Sequence, residues 1–252
     1  MECTKKKFSI YNQNVVGYVF IMPWLLGFLC FTLVPFLMSF VLSFTNFNIL
    51  SPDTKFIGLD NYVKLFTQDK LFMKSLKVTF KFAFISVPLR LIFALFVAMI
   101  LNRKSRAIPV YRVVYYLPSI IGGSVAVSVM WRNLFTKAGV INSLLQTVGI
   151  DCRLNWLSNT KTALFTLILL YVWQFGSSML IFLSALKQIP KSLYEAADVD
   201  GAGKVTKFFR VTLPLLTPTI FFNLVMQMIN GFLAFTQSLI ITQGKPMDTT
   251  LF

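Results

Sequence analysis

Apolar residues run along this chain in five long stretches, divided by shorter segments that hold most of the charge. A helix that crosses a bilayer needs roughly 20 mostly apolar residues. From Phe8 to Pro52 there is no charged residue, and the first span is placed at Gly17–Phe44. The second is Val78–Leu101, interrupted by Lys81 and Arg90. The third is Val113–Trp131, the fourth Thr162–Leu186 and the fifth Leu213–Ile241. The pattern predicts an all-α, polytopic transmembrane helical bundle. Pro23, Pro35, Pro88, Pro118, Gly122 and Gly123 lie inside these spans. Membrane helices tolerate such residues because neighbours satisfy the freed backbone groups. They read either as ordinary irregularity or as bends around a solute path.

Composition supports lipid as the solvent. The chain of 252 residues is 56% hydrophobic and 13% charged, with a mean hydropathy of +0.70. A soluble domain carries about 25% charged residues. The net charge of +15 does not indicate nucleic acid, because Lys and Arg fall between the apolar runs and form no single basic face. Cys3, Cys30 and Cys152 are scattered, and no histidine is present, so neither a disulfide framework nor a metal site is expected. The lysines before the first apolar run look like a signal peptide, but the run is too long for one, and a retained span is expected.

Basic residues beside the spans set the orientation. Lys5, Lys6 and Lys7 precede span one; Arg103, Lys104, Arg106 and Arg112 follow span two; Lys187, Lys191, Lys204, Lys207 and Arg210 follow span four. These segments lie on one side, expected to be cytoplasmic. The opposite loops hold Lys55, Lys64, Lys70, Lys74 and Lys77, diluted by Asp53, Asp60 and Asp69.

The stretch Ile189–Pro214 stands out. Ser192 precedes Glu195 by the spacing of a capping box, so a short helix is expected to start there. Ala196 and Ala197 give it a side of little bulk. Gly201 and Gly203 are expected to end it by left-handed backbone. Lys204–Val211 reads as a second short helix at the headgroups, with Phe208 and Phe209 among Lys204, Lys207 and Arg210. Pro214 sits where span five should begin, a position that needs no N–H. Alone, these features fit either a connecting loop or a docking shelf.

The same stretch resembles the EAA loop of permeases in binding-protein-dependent ABC importers. Glu195, Ala196, Ala197, Gly201, Leu213 and Pro214 fall at the family's spacing, and Val211 replaces its isoleucine. Pro23–Phe28, Ser43–Thr45, Gly58-Leu59-Asp60-Asn61-Tyr62, Leu117-Pro118-Ser119 and Leu215–Pro218 also resemble the carbohydrate-type members, in particular the first permease of a sugar importer. The resemblance implies a multi-pass bacterial plasma-membrane subunit with a cytoplasmic N-terminus. It implies import of a sugar or oligosaccharide, a second permease as heterodimer partner, an ATP-binding-cassette ATPase dimer docked on the EAA loop, and an external solute-binding protein. It implies no cofactor on this chain, with ATP and Mg held by the ATPase. Residues 1–71 would be tail, first span and external loop, and 72–252 the permease domain. Two departures are Gln243-Gly244-Lys245-Pro246, where relatives carry a Gly-Gly-Gly-Pro-like turn, and the stop at Phe252, before an expected sixth span. A truncated or incompletely covered sequence is the expectation. Glycerol phosphate or another polar solute is the alternative cargo, and a channel or secondary carrier the alternative class.

The chain is not expected to be an enzyme. Gly201-Ala202-Gly203-Lys204 is not a P-loop, because Asp198 and Val205 occupy positions that need Gly and Ser or Thr. None of the nine acidic residues lies in a predicted span. A solute path is expected along Asn223, Gln227, Asn230 and Gln237, which would share an arc of about 80° on one straight helix. Trp173, Gln174, Ser177 and Ser178 on span four are the counterpart. Amides and an indole suit sugar hydroxyls and a sugar face. Interhelical bonding that merely holds the bundle is the competing reading. Arg90, mid-span, is expected either to bond carbonyls freed by Pro88 or pair within the heterodimer, or to attract an anionic solute.

Overall fold

The computed structural model describes residues 13–50, 54–103, 106–150 and 154–252. Lys5, Lys6, Lys7, Lys104, Asp53, Cys3 and Cys152 lie outside the described residues. The chain divides into two compact units, Met1–Lys70 and Leu71–Phe252.

In the first unit, α1 (Gln13–Phe28) and α2 (Val34–Leu42) are joined by a wide turn, Leu29–Leu33, and Val16–Leu42 forms one long apolar helix. The Val34 N–H reaches back to the Leu29 carbonyl. Such a turn absorbs Pro35, which has no N–H to give and whose ring would press on the carbonyl of Phe31. After α2 the chain turns back through an antiparallel bridge between Thr45 and Phe56. Gly58 takes a left-handed φ of 61°, and α3 (Asp60–Thr67) follows. The Asn61 amide donates to the carbonyls of Ser43 and Thr45, both at 2.9 Å, and the Tyr62 hydroxyl meets Ser43 Oγ at 2.7 Å. The Gly-Leu-Asp-Asn-Tyr segment therefore serves to lash α3 to the end of the first span.

The second unit is a helical bundle. It comprises α4 (Lys70–Leu101), α5 (Ile108–Ile121), α6 (Val125–Leu134), α7 (Val140–Thr147), α8 (Ala163–Trp173), α9 (Gly176–Gln188), α10 (Lys191–Val199), α11 (Lys204–Lys207), α12 (Leu213–Phe232) and α13 (Phe235–Ile241). Helix α8 is the centre, with Leu164, Leu167, Ile168, Leu170, Tyr171 and Val172 buried. Helix α4 turns a stripe onto the core through Phe82, Ala83, Ser86, Val87, Arg90, Leu91, Ala94, Val97, Ala98 and Leu101. That spacing of three and four is one helical face. Gly231 lets α12 approach the same face: a Cβ there would stand 3.1 Å from Val87.

Three expected spans differ in the structure. Span three is not one helix: α5 and α6 meet at 99° across Gly122–Ser124. Ser124 caps α6, its hydroxyl accepting from the Val127 N–H at 3.3 Å. Span four bends by 42° between α8 and α9. Span five is continuous from Lys204 to Phe232, so Lys204–Val211 is not a separate interfacial helix, and it ends before Ile241. The wide turn Phe208–Thr212 carries the helix past Pro214 as the earlier one does past Pro35, the Leu213 N–H reaching the Phe208 carbonyl. Among the described residues, three helices are long and apolar enough to cross a membrane, or up to five spans if each bent pair counts as one.

Candidate functional site

The Ile189–Pro214 stretch folds as a helical hairpin. Helix α10 begins at Lys191 with Pro190 as its cap, and no side chain closes it. The expected capping box of Ser192 and Glu195 does not form, because Ser192 already lies within the first turn. At the other end the Ala202 N–H donates to the Ala197 carbonyl at 2.9 Å and the Gly201 N–H to the Asp198 carbonyl at 3.1 Å. This pair of bonds is a Schellman closure, and it requires left-handed backbone at the residue after the cap. Gly201 supplies it, with φ of 72°. Gly203 does not: its φ is −66°, and it caps the next helix in extended conformation.

Two clamps close the hairpin. Lys207 Nζ pairs with Asp198 at 2.5 Å, and the Tyr194 and Thr212 hydroxyls meet at 2.9 Å. Glu195, Ala196, Gly201 and Pro214 are exposed, and Ala197 and Leu213 are half-buried. Leu193 and Val199, 42% and 88% exposed, flank them. The result is a stiff shelf with small and apolar groups outward.

Inside the bundle, the breaks in the spans are joined by a polar knot. The turn between α8 and α9 leaves the Gln174 carbonyl without a helical donor. Arg90 Nη2 donates to it at 2.5 Å and Ser119 Oγ at 2.8 Å. Arg90 also lies over the Tyr171 ring, 4.6 Å from its centroid, and reaches Ser177 Oγ at 3.4 Å. Ser119 Oγ in turn accepts from the Ser177 N–H at 3.0 Å. The carbonyl of Gly122, at the α5–α6 break, accepts from the amides of Gln174 at 3.4 Å and Gln237 at 2.7 Å. Thus Arg90 does not bond the carbonyl freed by Pro88; it bonds one freed by a different span.

The expected amide stripe is split. Asn223 and Gln227 are buried on α12, Asn230 is exposed, and Gln237 sits on the separate helix α13. One straight helix carrying all four is therefore corrected: the chain breaks at Leu233–Ala234, and α13 turns onto α6. The Tyr171 hydroxyl donates to the Gln227 carbonyl at 2.8 Å. The Asn223 amide donates to the Thr219 carbonyl at 3.2 Å, while its buried oxygen has no partner. Trp173 is half-buried beside Trp131, ring centroids 5.7 Å apart. Sequence reasoning missed Ser119, Tyr171, Tyr194 and Thr212. Only the Pro118–Gly122 irregularity hinted at the first.

The family described as "Binding-protein-dependent transport system inner membrane component" matches residues 80–252, more than half of the chain. The chain belongs to this family. It is thus a permease component and a membrane protein. It is 56% identical to the probable ABC transporter permease protein YesP of Bacillus subtilis (strain 168), across 99% of this chain and 81% of that protein. It is 32% identical to the arabinooligosaccharides transport system permease protein AraP of the same organism, across 93% of this chain and 74% of that protein. It is 36% identical to the sn-glycerol-3-phosphate transport system permease protein UgpA of Yersinia pestis bv. Antiqua (strain Antiqua), across 78% and 66%. The permease fold is seen again in a bacterial ABC transporter involved in the import of the acidic polysaccharide alginate. There the TM-score is 0.77 at 24% identity, covering 94% of this chain and 79% of that one.

Proposed function

We propose that this permease is one of the two membrane subunits of an ATP-driven importer, and that it conducts a carbohydrate handed over by an external solute-binding protein. The observation that carries the coupling part is the α10–α11 hairpin. Two clamps stiffen it, Gly201 turns it, and Glu195, Ala196 and Ala197 lie on its outer side. A rigid projection of this kind passes a push from a docked ATPase directly into α12, with which it is continuous. ATP and Mg would stay on that ATPase. The hairpin and Arg103, Arg106 and Arg112 would face the cytoplasm, with the N-terminus on the same side.

The carbohydrate part rests on relatives such as AraP, and on amides and indoles at the centre of the bundle. Gln227, Asn230, Trp173, Gln174 and Ser177, with Asn223 and Gln237, are proposed to border the solute path once a second permease closes the other side. UgpA favours glycerol phosphate as the second cargo, since its identity of 36% exceeds that of AraP over a shorter segment. Uptake into cells carrying the complete system, with labelled oligosaccharides and sn-glycerol 3-phosphate in parallel, separates the two. ATP-independent uptake by the permeases alone would instead place the protein among channels or secondary carriers.

A further inference from the structure

A groove lies between α4 and the first half of α8, at the end of the bundle remote from the α10–α11 hairpin. Its walls are Val78, Ile85, Leu164, Phe165 and Ile168, and its head holds Lys74, Lys81 and Lys161 with Thr160 and Thr249. On α4, Lys74, Val78, Lys81 and Ile85 follow at steps of four, three and four, which is one helical face. Lys81 stands one turn before Ile85, and Lys161 stands one turn before Leu164 and Phe165, so apolar surface runs on from both cations toward the membrane centre. Lys74 is already engaged, by Asp248 at 3.5 Å and by the Met247 carbonyl. Lys81 and Lys161 are exposed and have no carboxylate partner among the described residues. The α8 N-terminus beside Lys161 adds the positive end of a helix dipole.

From this arrangement we infer that the groove binds an anionic phospholipid, its phosphate between Lys81 and Lys161 and one acyl chain along Ile85, Phe165 and Ile168. The charge decides the headgroup. Two open ammonium groups and a helix N-terminus complement a net negative lipid such as phosphatidylglycerol, whereas the carboxylate at the groove head, Asp248, is already paired with Lys74 and is not free to hold a zwitterionic lipid's choline or ethanolamine. Geometry decides against a free anion, since the floor is apolar and the lysines stand above it. Lysines near a membrane end extend their ammonium groups to the headgroup level while their stems cover apolar surface. The lipid would fill the joint between α4 and α8, the helix pair that meets again at Arg90 and Tyr171.

Native mass spectrometry of the assembled transporter, exchanged in turn into phosphatidylglycerol, phosphatidylcholine and inorganic phosphate, tests this. Lys81→Gln/Lys161→Gln should bind phosphatidylglycerol about thirtyfold more weakly, at about fivefold per lysine. Phosphatidylcholine retention should not change, and Lys81→Arg/Lys161→Arg should restore the anionic lipid. Phe165→Ser should weaken phosphatidylglycerol binding with both lysines present. The inference is overturned if the double Gln variant keeps the lipid at wild-type strength, as when another helix of the assembly fills the groove. It is equally overturned if millimolar phosphate displaces the lipid, or if both lipids are lost alike.

Discussion

The guanidinium of Arg90 on α4 donates to the backbone carbonyl of Gln174 at 2.5 Å, at the point where α8 gives way to α9. The same carbonyl accepts from Ser119 at 2.8 Å. A break in one span is therefore closed by side chains of two others, and Arg90 is 6% exposed in doing so. Each donor covers the loss of the other. In thermal unfolding of the purified assembly, Arg90→Met and Ser119→Ala should each lower the midpoint modestly. The double variant should lose more than their sum, because a buried carbonyl left with no donor costs roughly 1–3 kcal/mol. Strict additivity would show that the two side chains do not share this acceptor. Uptake of neutral and anionic solutes should fall together in Arg90→Met; selective loss of the anionic one would make Arg90 a solute ligand.

Close approach of α5 and α9 depends on Gly176. A Cβ there would overlap the Tyr115 carbonyl and stand 2.7 Å from Tyr116 Cα, backbone that cannot move aside. Gly176→Ala should cost about 1–3 kcal/mol through overpacking. Gly123→Ala meets nothing within 4 Å and should be close to neutral. The yield and unfolding midpoint of the assembled complex read both.

Gly201 is a different case. A Cβ would meet nothing within 4 Å, but φ is 72°. The penalty for a side chain is therefore in the backbone, about 1–2 kcal/mol, and Asn tolerates this conformation where a β-branched residue does not. Gly201→Val should leave membrane insertion intact and uncouple ATP hydrolysis from uptake, with Gly201→Asn close to wild type. Equal transport by Gly201→Val would remove the docking role from the hairpin.

Gln227→Leu keeps the Tyr171 bond, which goes to the main-chain carbonyl at 2.8 Å, so the fold should survive it. Asn230 is exposed and has no packing to lose. Both variants should assemble normally yet import sugar several-fold more slowly. Wild-type uptake and selectivity in both would exclude α12 from the solute path.

Five apolar runs and a helical turn between the last two were legible, because both are written in local pattern; the caps and bounds of that turn were not. Five apolar runs need no tertiary information, and Glu195, Ala197, Gly201 and Pro214 are fixed by spacing alone. The breaks were only half legible. Gly122, Gly123 and Ser124, and Gln174 with Gly176, interrupt the apolar runs, but that pattern fits a bent span as well as a straight one, and what satisfies the freed carbonyls comes from residues 52 to 115 positions away. The end of α12 is marked only by Gly231, which packs against Val87 and Ala83 inside the helix, and the apolar run continues past Leu233–Ala234, so the pattern extends the stripe to Gln237. Ser192 was misread for a local reason: Pro190 already holds the extended conformation of a cap, with ψ of 133°, and starts the helix two residues early.

In the proposed function, ATP acting at the hairpin drives transport of a carbohydrate through this permease. Proteoliposomes holding both permeases and the ATPase pair, with ATP sealed inside, provide the direct measurement. Oligosaccharide uptake should require ATP and the external binding protein, stop with a non-hydrolysable ATP analogue, and be lost in Gly201→Val while the complex remains assembled. Uptake that proceeds down a sugar gradient with no ATPase present would contradict it.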